Sequence, residues 1–289
     1  MRISAGGVAI EVDDVGRGEP LLLIMGLGMQ LVAWPDELVN ELVARGFRVI
    51  RIDNRDVGLS QGFDHLGRAN LFTAMVRYML GMRITAPYSL GDMARDAFGA
   101  LDALGVASAH VCGVSMGGMI AQHMAVMQPE RVRRLTLMMT TSGSRSLPHP
   151  SARVRRALLS RPANPRDPEE IVAHLERMFA LIGSPDYHTE PELFRRRLRA
   201  SVARAWRPAG VARQLLAIVA DGDRTPMLGR ITNRTHIVHG AADPLVPVAA
   251  AHQLHRKIRG STLEVIPGWG HDLPVPLVPR LVHEIARSD

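Results

Sequence analysis

The sequence predicts a single α/β domain in which a mostly parallel, doubly wound sheet carries an inserted helical lid. Short apolar runs that suit buried strands alternate with amphipathic helical segments over 1–141 and again over 226–289. Such alternation is typical of parallel sheets covered by helices on both faces. Between residues 142 and 225 the pattern changes to arginine-rich helical segments punctuated by prolines, which predicts a lid inserted into the α/β core.

The first half of the core follows from the spacing of its apolar residues. Two short runs at 2–4 and 8–12, separated by Gly6 and Gly7, are typical of a β-hairpin at the sheet edge. The run at 21–25 is apolar without alternation, as expected of a strand buried on both faces. The further elements predicted before residue 105 are a helix at 34–45, a strand at 48–53 and a helix at 89–104.

The second half continues the alternation. A buried strand that contains His110 runs into a helix that ends at Gln128, just before Pro129. The remaining predicted elements are strands at 135–140, 235–239 and 262–266 and helices near 248–258 and 277–286.

A polar stretch from Asp53 to Ser60 follows the strand at 48–53, and its carboxylates and arginine resemble catalytic groups. We interpret it as structural, because Asp and Asn side chains after a strand commonly accept hydrogen bonds from turn amides. These carboxylates are therefore expected to stabilise the turn.

The composition is that of a soluble globular protein, with 46% hydrophobic and 22% charged residues. A single cysteine, Cys112, excludes an internal disulfide and a cysteine-based metal cluster. The N-terminus lacks the apolar core of a signal peptide and no apolar run is long enough to cross a bilayer, so we expect a cytoplasmic protein. The net charge of +7 comes almost entirely from arginine; without a nucleic-acid-binding motif, it predicts solvated arginines and no nucleic-acid partner.

The clearest chemical signal is the motif Gly113-Val-Ser115-Met-Gly117, where a buried strand turns sharply into a helix. A serine hydroxyl is a weak nucleophile, so it must be held away from its own backbone, beside a base and hydrogen-bond donors. Glycines two residues either side suit such a turn, because a β-carbon there would collide with it. The helix that follows directs its N-terminal amides toward Ser115, which we predict to be the nucleophile.

The base and the acid that a nucleophilic serine needs have candidates after two later strands. Asp243 lies in the loop after the strand at 235–239, and His271 lies in the loop after the strand at 262–266. Since parallel strands end at the same edge of a sheet, we predict that both side chains reach Ser115.

Other polar residues near these positions receive structural roles. Asp272 is expected to cap its own turn. His252 and His255 have the spacing of a metal pair, but no further ligand pattern supports a closed site. The sequence therefore predicts neither a metal nor a cofactor.

In its order of serine, aspartate and histidine the chain resembles the α/β-hydrolase superfamily along nearly its whole length. The matching motifs are Met25-Gly-Leu-Gly28, Asp53-Asn-Arg-Asp-Val-Gly-Leu-Ser60, the serine turn, Gly240-Ala-Ala-Asp243 and Gly268-Trp-Gly-His271. It is most similar to bacterial serine esterases of the aclacinomycin-methylesterase type, which also have Met-Gly in the oxyanion loop and a helical cap. The resemblance implies an oxyanion hole formed by the amides of Leu27 and Met116.

The same resemblance places Gly26 and Gly28 at the substrate pocket. Trp269 stands beside the base, where family members often have a small residue. It is a candidate to narrow the pocket, but packing in the core is the favoured interpretation. The oligomeric state is left open.

The sequence thus predicts a serine carboxylesterase that hydrolyses a small to medium, mostly apolar small-molecule ester through an acyl-enzyme. C–C bond hydrolysis and cofactor-free perhydrolase activity use the same three residues and remain alternatives, as does a ligand receptor built on a hydrolase scaffold. The lid arginines either face the pocket and favour an anionic substrate or face water. The apolar residues of the lid favour the second arrangement, with those residues as a pocket roof. The lid arginines concerned are Arg195, Arg196, Arg197, Arg199, Arg204 and Arg207.

Overall fold

The computed structural model describes residues 1–67 and 69–287, which contain eight β-strands joined in one sheet. The strands are β1 (Arg2–Ala5), β2 (Val8–Val15), β3 (Glu19–Ile24), β4 (Phe47–Ile52), β5 (Ala109–Val114), β6 (Val132–Met138), β7 (Arg234–Gly240) and β8 (Thr262–Ile266). Their spatial order is β1-β2-β4-β3-β5-β6-β7-β8. β2 pairs antiparallel with β1 and β4, and the other pairs are parallel.

The parallel strands end in register at one edge of the sheet. Ile24 of β3 lies opposite Gly113 of β5, Gly113 lies opposite Leu137 of β6, and Leu137 lies opposite Ile237 of β7. The loops that follow these strands therefore open on the same edge, which is where doubly wound sheets bind ligands.

Helices cover both faces of the sheet. They are α1 (Asp36–Ala44), α2 (Leu71–Met79), α3 (Leu90–Ala103), α4 (Met116–Met127), α5 (Ala152–Leu158), α6 (Pro168–Ile182), α7 (Pro191–Arg204), α8 (Pro208–Asp221), α9 (Thr225–Leu228), α10 (Ala249–Lys257) and α11 (Val278–Ala286). α1 and α11 bury apolar side chains on one face, and α3, α4 and α10 do so on the other. Within the described residues, no helix has the length and apolar character needed to span a bilayer.

The α/β class, the parallel sheet and the edge hairpin are confirmed. β6 begins at Val132, before the predicted start at 135. The prediction starts late because Arg133 and Arg134 interrupt the apolar run. Helix α2 was not predicted from the sequence. Its large apolar residues face outward and do not pack on the hydrophobic core. Residues 288 and 289 of the expected core lie outside the described residues.

Residues 142–225, the inserted segment, contain α5 to α8 and no strand. The expectation that the lid arginines face water holds for Arg196 and Arg199, which are exposed, and Arg199 pairs there with Glu169 at 2.8 Å. Arg204 differs, because it is mostly buried and reaches Asp53 at 2.6 Å. The apolar side chains of the segment were expected to form a pocket roof. Several of them pack on one another in the segment's own small core, namely Ile171, Val172, Leu175, Phe179, Phe194, Leu198, Val202 and Trp206.

A buried ion pair attaches the inserted segment to the sheet domain. Arg213 of α8 donates from Nε and Nη2 to the two oxygens of Asp56, each at 2.7 Å, and both side chains are at most 2% exposed. Burial raises the pKa of Asp56, but hydrogen bonds from Arg213, the Phe63 amide and the Tyr88 hydroxyl outweigh burial. The pKa of Asp56 therefore lies below its ordinary value.

We predict that Arg213→Met lowers the free energy of unfolding by about 3–5 kcal/mol, because it leaves the Asp56 carboxylate buried without its cation. Arg199 pairs with Glu169 on the exposed surface of α7, so Arg199→Met is the matched control and should unfold close to wild type. Urea denaturation followed by circular dichroism measures both variants. Equal losses in the two would contradict a special role for the buried pair.

Candidate active site

Ser115 stands at the sharp turn between β5 and α4. Its backbone has φ 54° and ψ −117°, a conformation that residues with a β-carbon rarely adopt and that costs about 1–3 kcal/mol. The Ser115 amide donates to the Met138 carbonyl at 2.9 Å, and the Thr140 hydroxyl donates to the Ser115 carbonyl at 2.7 Å. The turn therefore presents the Ser115 side chain at the carboxyl edge of the sheet.

Close backbone packing explains the two glycines of the turn. A β-carbon on Gly113 would clash with the Gly117 carbonyl, and one on Gly117 would clash with the Ile24 carbonyl at the end of β3. The first turn of α4 thus lies directly against the chain that leaves β3. This contact brings Gly26 beside Ser115, and a β-carbon on Gly26 would be 3.2 Å from that of Ser115.

Two backbone amides near Ser115 suit an oxyanion hole. Met116 is the first residue of α4, so its amide has no partner within the helix. Among the described residues, the Leu27 amide has no hydrogen-bond partner either. The Gly28 amide differs, because it donates to Gln214 Oε1 of α8 at 2.9 Å, and Val211 fills the space beside Gly28. Gly28 therefore contacts the inserted segment instead of lining an open pocket.

The structure brings Asp243 and His271 together. His271 Nδ1 is 2.7 Å from Asp243 Oδ2, and the amides of Leu245 and Val246 donate to Oδ1 at 2.8 Å each. The Asp243 side chain is fully buried, and that of His271 is 8% exposed. With the carboxylate as acceptor, His271 carries a proton on Nδ1, so Nε2 is the ring nitrogen that can accept one.

Ser115 Oγ makes no hydrogen bond to another side chain in the described part of the chain. Bonds between a nucleophile and its base are often long or poorly aligned until a substrate is bound. The parallel register nevertheless places the turn after β5 and the loops after β7 and β8 at one sheet edge.

A second histidine, His239 at the end of β7, lies next to Asp243. Its Nε2 donates to the Val246 carbonyl at 2.8 Å and is 3.6 Å from Asp243 Oδ2. Burial lowers the pKa of His239 and outweighs the opposite effect of Asp243, so the ring is uncharged at neutral pH. The bond from His239 to Val246 therefore connects the end of β7 to the loop that contains Asp243.

Hydrogen bonds between the loops after β7 and β8 set the separation of Asp243 and His271. The Ala241 amide donates to the Ile266 carbonyl at 2.9 Å, and the Ala242 amide donates to the Trp269 carbonyl at 3.0 Å. The Trp269 ring is fully buried in the apolar core on the α1 and α11 face. Its bulk therefore lies in the core, which is the packing role that the sequence favours, and the ring does not narrow a pocket.

The polar turn after β4 has the structural role expected of it. Asp53 accepts the Leu31 amide at 2.7 Å, the Leu59 amide at 2.9 Å and Arg204 at 2.6 Å. Burial raises the pKa of Asp53, although these donors act against the change. Asp56 is likewise bound by Arg213, so both carboxylates serve to hold the structure together.

The inserted segment meets the His271 loop along residues 182–186, which we call the latch. The His271 amide donates to the Ile182 carbonyl at 2.7 Å, and the Gly270 amide donates to Ser184 Oγ at 3.0 Å. Ser184 in turn donates its amide, at 3.1 Å, and its hydroxyl, at 2.5 Å, to Asp272 Oδ1. Asp272 therefore binds the latch, and the expectation that it caps its own turn is wrong.

The chain is similar to known proteins along most of its length. The family described as alpha/beta hydrolase fold matches residues 19–275. The chain belongs to the α/β-hydrolase family. The rhodomycin D methylesterase DauP of a Streptomyces species is similar to this α/β-hydrolase, with 31% identity over 275 residues that cover 89% of this chain and 86% of the relative. A 2-hydroxymuconate semialdehyde hydrolase of a Pseudomonas species is 26% identical over 276 residues, covering 93% and 86%.

Solved α/β-hydrolase structures have the same shape. A meta-cleavage product hydrolase from Pseudomonas fluorescens superposes with a TM-score of 0.76 at 22% identity, covering 98% of this chain and 94% of that one. An esterase from Exiguobacterium antarcticum gives a TM-score of 0.74 at 23% identity and covers 99% of both chains. At such identities the likeness is one of fold.

Three residues around this α/β-hydrolase site were not evident from the sequence: Ser184, Gln214 and His239. Ser184 follows Gly183 and precedes Pro185 at the end of α6, a breaker signal that marks a change of direction but no contact. Gln214 is a fully buried polar residue of α8, next to the buried Arg213. His239 lies near the end of a buried strand. A polar side chain in such a position needs a hydrogen-bond partner, and this was the available signal.

We predict that Ser184→Ala makes the amides of 270–271 exchange with solvent about tenfold faster, because the Gly270 amide loses its acceptor and the latch loses the hydroxyl bond to Asp272. Hydrogen–deuterium exchange with mass spectrometry measures this. Ser160→Ala is the control, since the Ser160 hydroxyl bonds only within the end of α5. Unchanged exchange at 270–271 would show that the latch does not hold the His271 loop.

Proposed function

We propose that this α/β-hydrolase is a serine esterase with Ser115 as nucleophile, His271 as general base and Asp243 as the acid that orients the base. The proposal is carried by the 2.7 Å contact between His271 Nδ1 and Asp243 Oδ2, at the sheet edge where the strained turn presents Ser115. The similarity to rhodomycin D methylesterases supports ester hydrolysis as the reaction.

In the first step Ser115 Oγ attacks the ester carbonyl carbon while its proton passes to His271 Nε2. The resulting imidazolium keeps its Nδ1 proton directed at Asp243 Oδ2. Asp243 is itself held by the Leu245 and Val246 amides, so it orients the ring and stabilises the positive charge.

The negative charge that develops on the carbonyl oxygen would be bound by the amides of Leu27 and Met116. Both belong to backbone that the contact between α4 and the end of β3 holds rigid, so the donors need no rearrangement as charge develops. The Met116 amide also lies at the N-terminus of α4, where the helix dipole favours negative charge.

Collapse of the tetrahedral intermediate breaks the bond to the alcohol, which takes the proton from His271, and leaves an acyl-enzyme on Ser115. Water then attacks the acyl carbon as His271 removes its proton, and a second collapse releases the carboxylic acid and restores the Ser115 hydroxyl.

We propose that the inserted segment, residues 142–225, is the lid over this site. Two of its attachments lie beside the site: Gln214 accepts a hydrogen bond from the Gly28 amide at the oxyanion loop, and the latch binds the His271 loop. Ion pairs occupy Arg195, Arg199 and Arg204. Because those cations are neutralised, a small to medium, mostly apolar ester is the substrate class that fits best.

A second candidate is hydrolysis of a C–C bond beside a carbonyl, which uses the same three residues. Its support is the 26% identity to a 2-hydroxymuconate semialdehyde hydrolase over 93% of this chain. Parallel assays with a methyl ester and with a vinylogous diketone separate the two. Higher kcat/KM for the ester supports the esterase, and higher kcat/KM for the diketone supports the C–C hydrolase.

We predict that Ser115→Ala and His271→Ala each lower ester turnover by about 10³–10⁶-fold, because nucleophile and base act as a unit. The double variant should then be little slower than either single variant. Steady-state kinetics with a p-nitrophenyl ester measures all three. Multiplying losses in the double variant would show that the two residues act independently.

We predict that Asp243→Asn keeps the fold but lowers turnover by up to about 10⁴-fold, because an amide favours the wrong tautomer of His271 and leaves the imidazolium without a counter-charge. Comparison of kcat with the thermal midpoint distinguishes lost chemistry from lost stability. Turnover near the wild-type value would mean that another residue supplies the acid.

A further inference from the structure

Large apolar side chains are concentrated on the outside of α2 and the turn after it. Twelve large hydrophobic residues are exposed in the described part of the chain, and half of them lie between residues 72 and 82. Phe72 is 80% exposed and Met79 is 76% exposed. Apolar clusters of this kind usually mark a binding surface. The α2 surface comprises Phe72, Met75, Val76, Met79, Leu80 and Met82.

The apolar stripe of α2 faces away from the protein. Phe72, Met75, Val76 and Met79 have the spacing of one helix face, which in an ordinary surface helix packs on the core. Here the buried residue of α2 is Ala74, on the opposite side. The helix thus buries Ala74 and partly buries Leu71, Arg77 and Tyr78, and it exposes its apolar stripe to something outside the chain.

Arginines surround the α2 surface. Arg77 lies within the helix, Arg83 follows it and is exposed, and Arg145 of the inserted segment stacks over the Tyr78 ring with its Cζ atom 4.3 Å from the ring centroid. The sequence contains no aspartate or glutamate in two stretches, 65–91 around α2 and 144–166 around Arg145. The surface is therefore apolar at its centre and cationic around it.

We propose that the α2 surface docks the protein on an anionic lipid bilayer. A helix in the membrane plane inserts apolar side chains at the boundary between headgroups and acyl chains, while arginines meet the anionic headgroups. Charge complementarity selects this occupant, because a second copy of the chain would bring arginines against arginines across a twofold axis.

Docking would bring the inserted segment to the lipid. α2 packs against α8, and α8 carries Arg213 and Gln214, which bind Asp56 and the Gly28 amide. The α2 surface is thus joined by rigid contacts to the oxyanion loop. Bilayer binding itself is separate from ester hydrolysis, so it can be tested without any turnover.

The test is co-sedimentation of the purified protein with large unilamellar vesicles of phosphatidylcholine alone or with 30 mol% phosphatidylglycerol (about one anionic lipid in three). We expect binding at least tenfold tighter to the anionic vesicles, weakening as salt is raised from about 0.1 to 0.5 M. Met79→Ser should weaken this binding about tenfold. Met127→Ser, the same change at the end of α4, is the control and should not.

The charge variant combines Arg77→Gln with Arg83→Gln. Each lost arginine should weaken binding to anionic vesicles about fivefold, so the pair should weaken it more than tenfold. Arg256→Gln with Arg259→Gln removes two exposed arginines elsewhere and should have little effect. Met79→Cys carrying an environment-sensitive fluorophore gives a second readout, with a blue shift expected on anionic vesicles alone.

Two outcomes would overturn the proposal. One is equal or absent binding to both kinds of vesicle with no blue shift. The other is self-association of the wild type in sedimentation velocity that Met79→Ser abolishes, which would make a second copy the occupant of the α2 surface.

Discussion

The close contact between the first turn of α4 and the end of β3 is the constraint on which the site depends. Because Gly117 has no β-carbon, the helix can start against the Ile24 carbonyl. At this contact Ser115 has its strained backbone conformation, and Gly26 lies close beside it. Ser115 and the proposed oxyanion donors therefore lie on backbone of the sheet domain, and the inserted segment adds the bond that Gln214 accepts from the neighbouring Gly28 amide.

The base is held differently. His271 takes its orientation from Asp243 on one side and its backbone position from the latch on the other. The proposed site thus combines Ser115, which the sheet holds, with His271, whose loop is bonded to the inserted segment. Any movement of the latch would therefore displace the His271 loop, while Ser115 and the amides near it would stay in place.

Residue patterns predicted the sheet, the serine turn and the loops that carry Asp243 and His271, because these depend on local periodicity, glycine placement and the order of parallel strands. The contacts of the inserted segment could not be predicted in the same way. The Arg213–Asp56 pair and the Ser184–Asp272 bond join residues far apart in sequence. The side that Trp269 faces is likewise decided by packing, which has no signature in a short motif.

The central claim is that His271 and Asp243 make Ser115 a selective nucleophile. The most direct measurement is covalent labelling with a small fluorophosphonate, followed by intact mass spectrometry and peptide mapping. The account predicts one adduct per chain, on Ser115, formed orders of magnitude more slowly when His271 is replaced by alanine. An adduct on another residue, or equally fast labelling of Ser115 without His271, would contradict it.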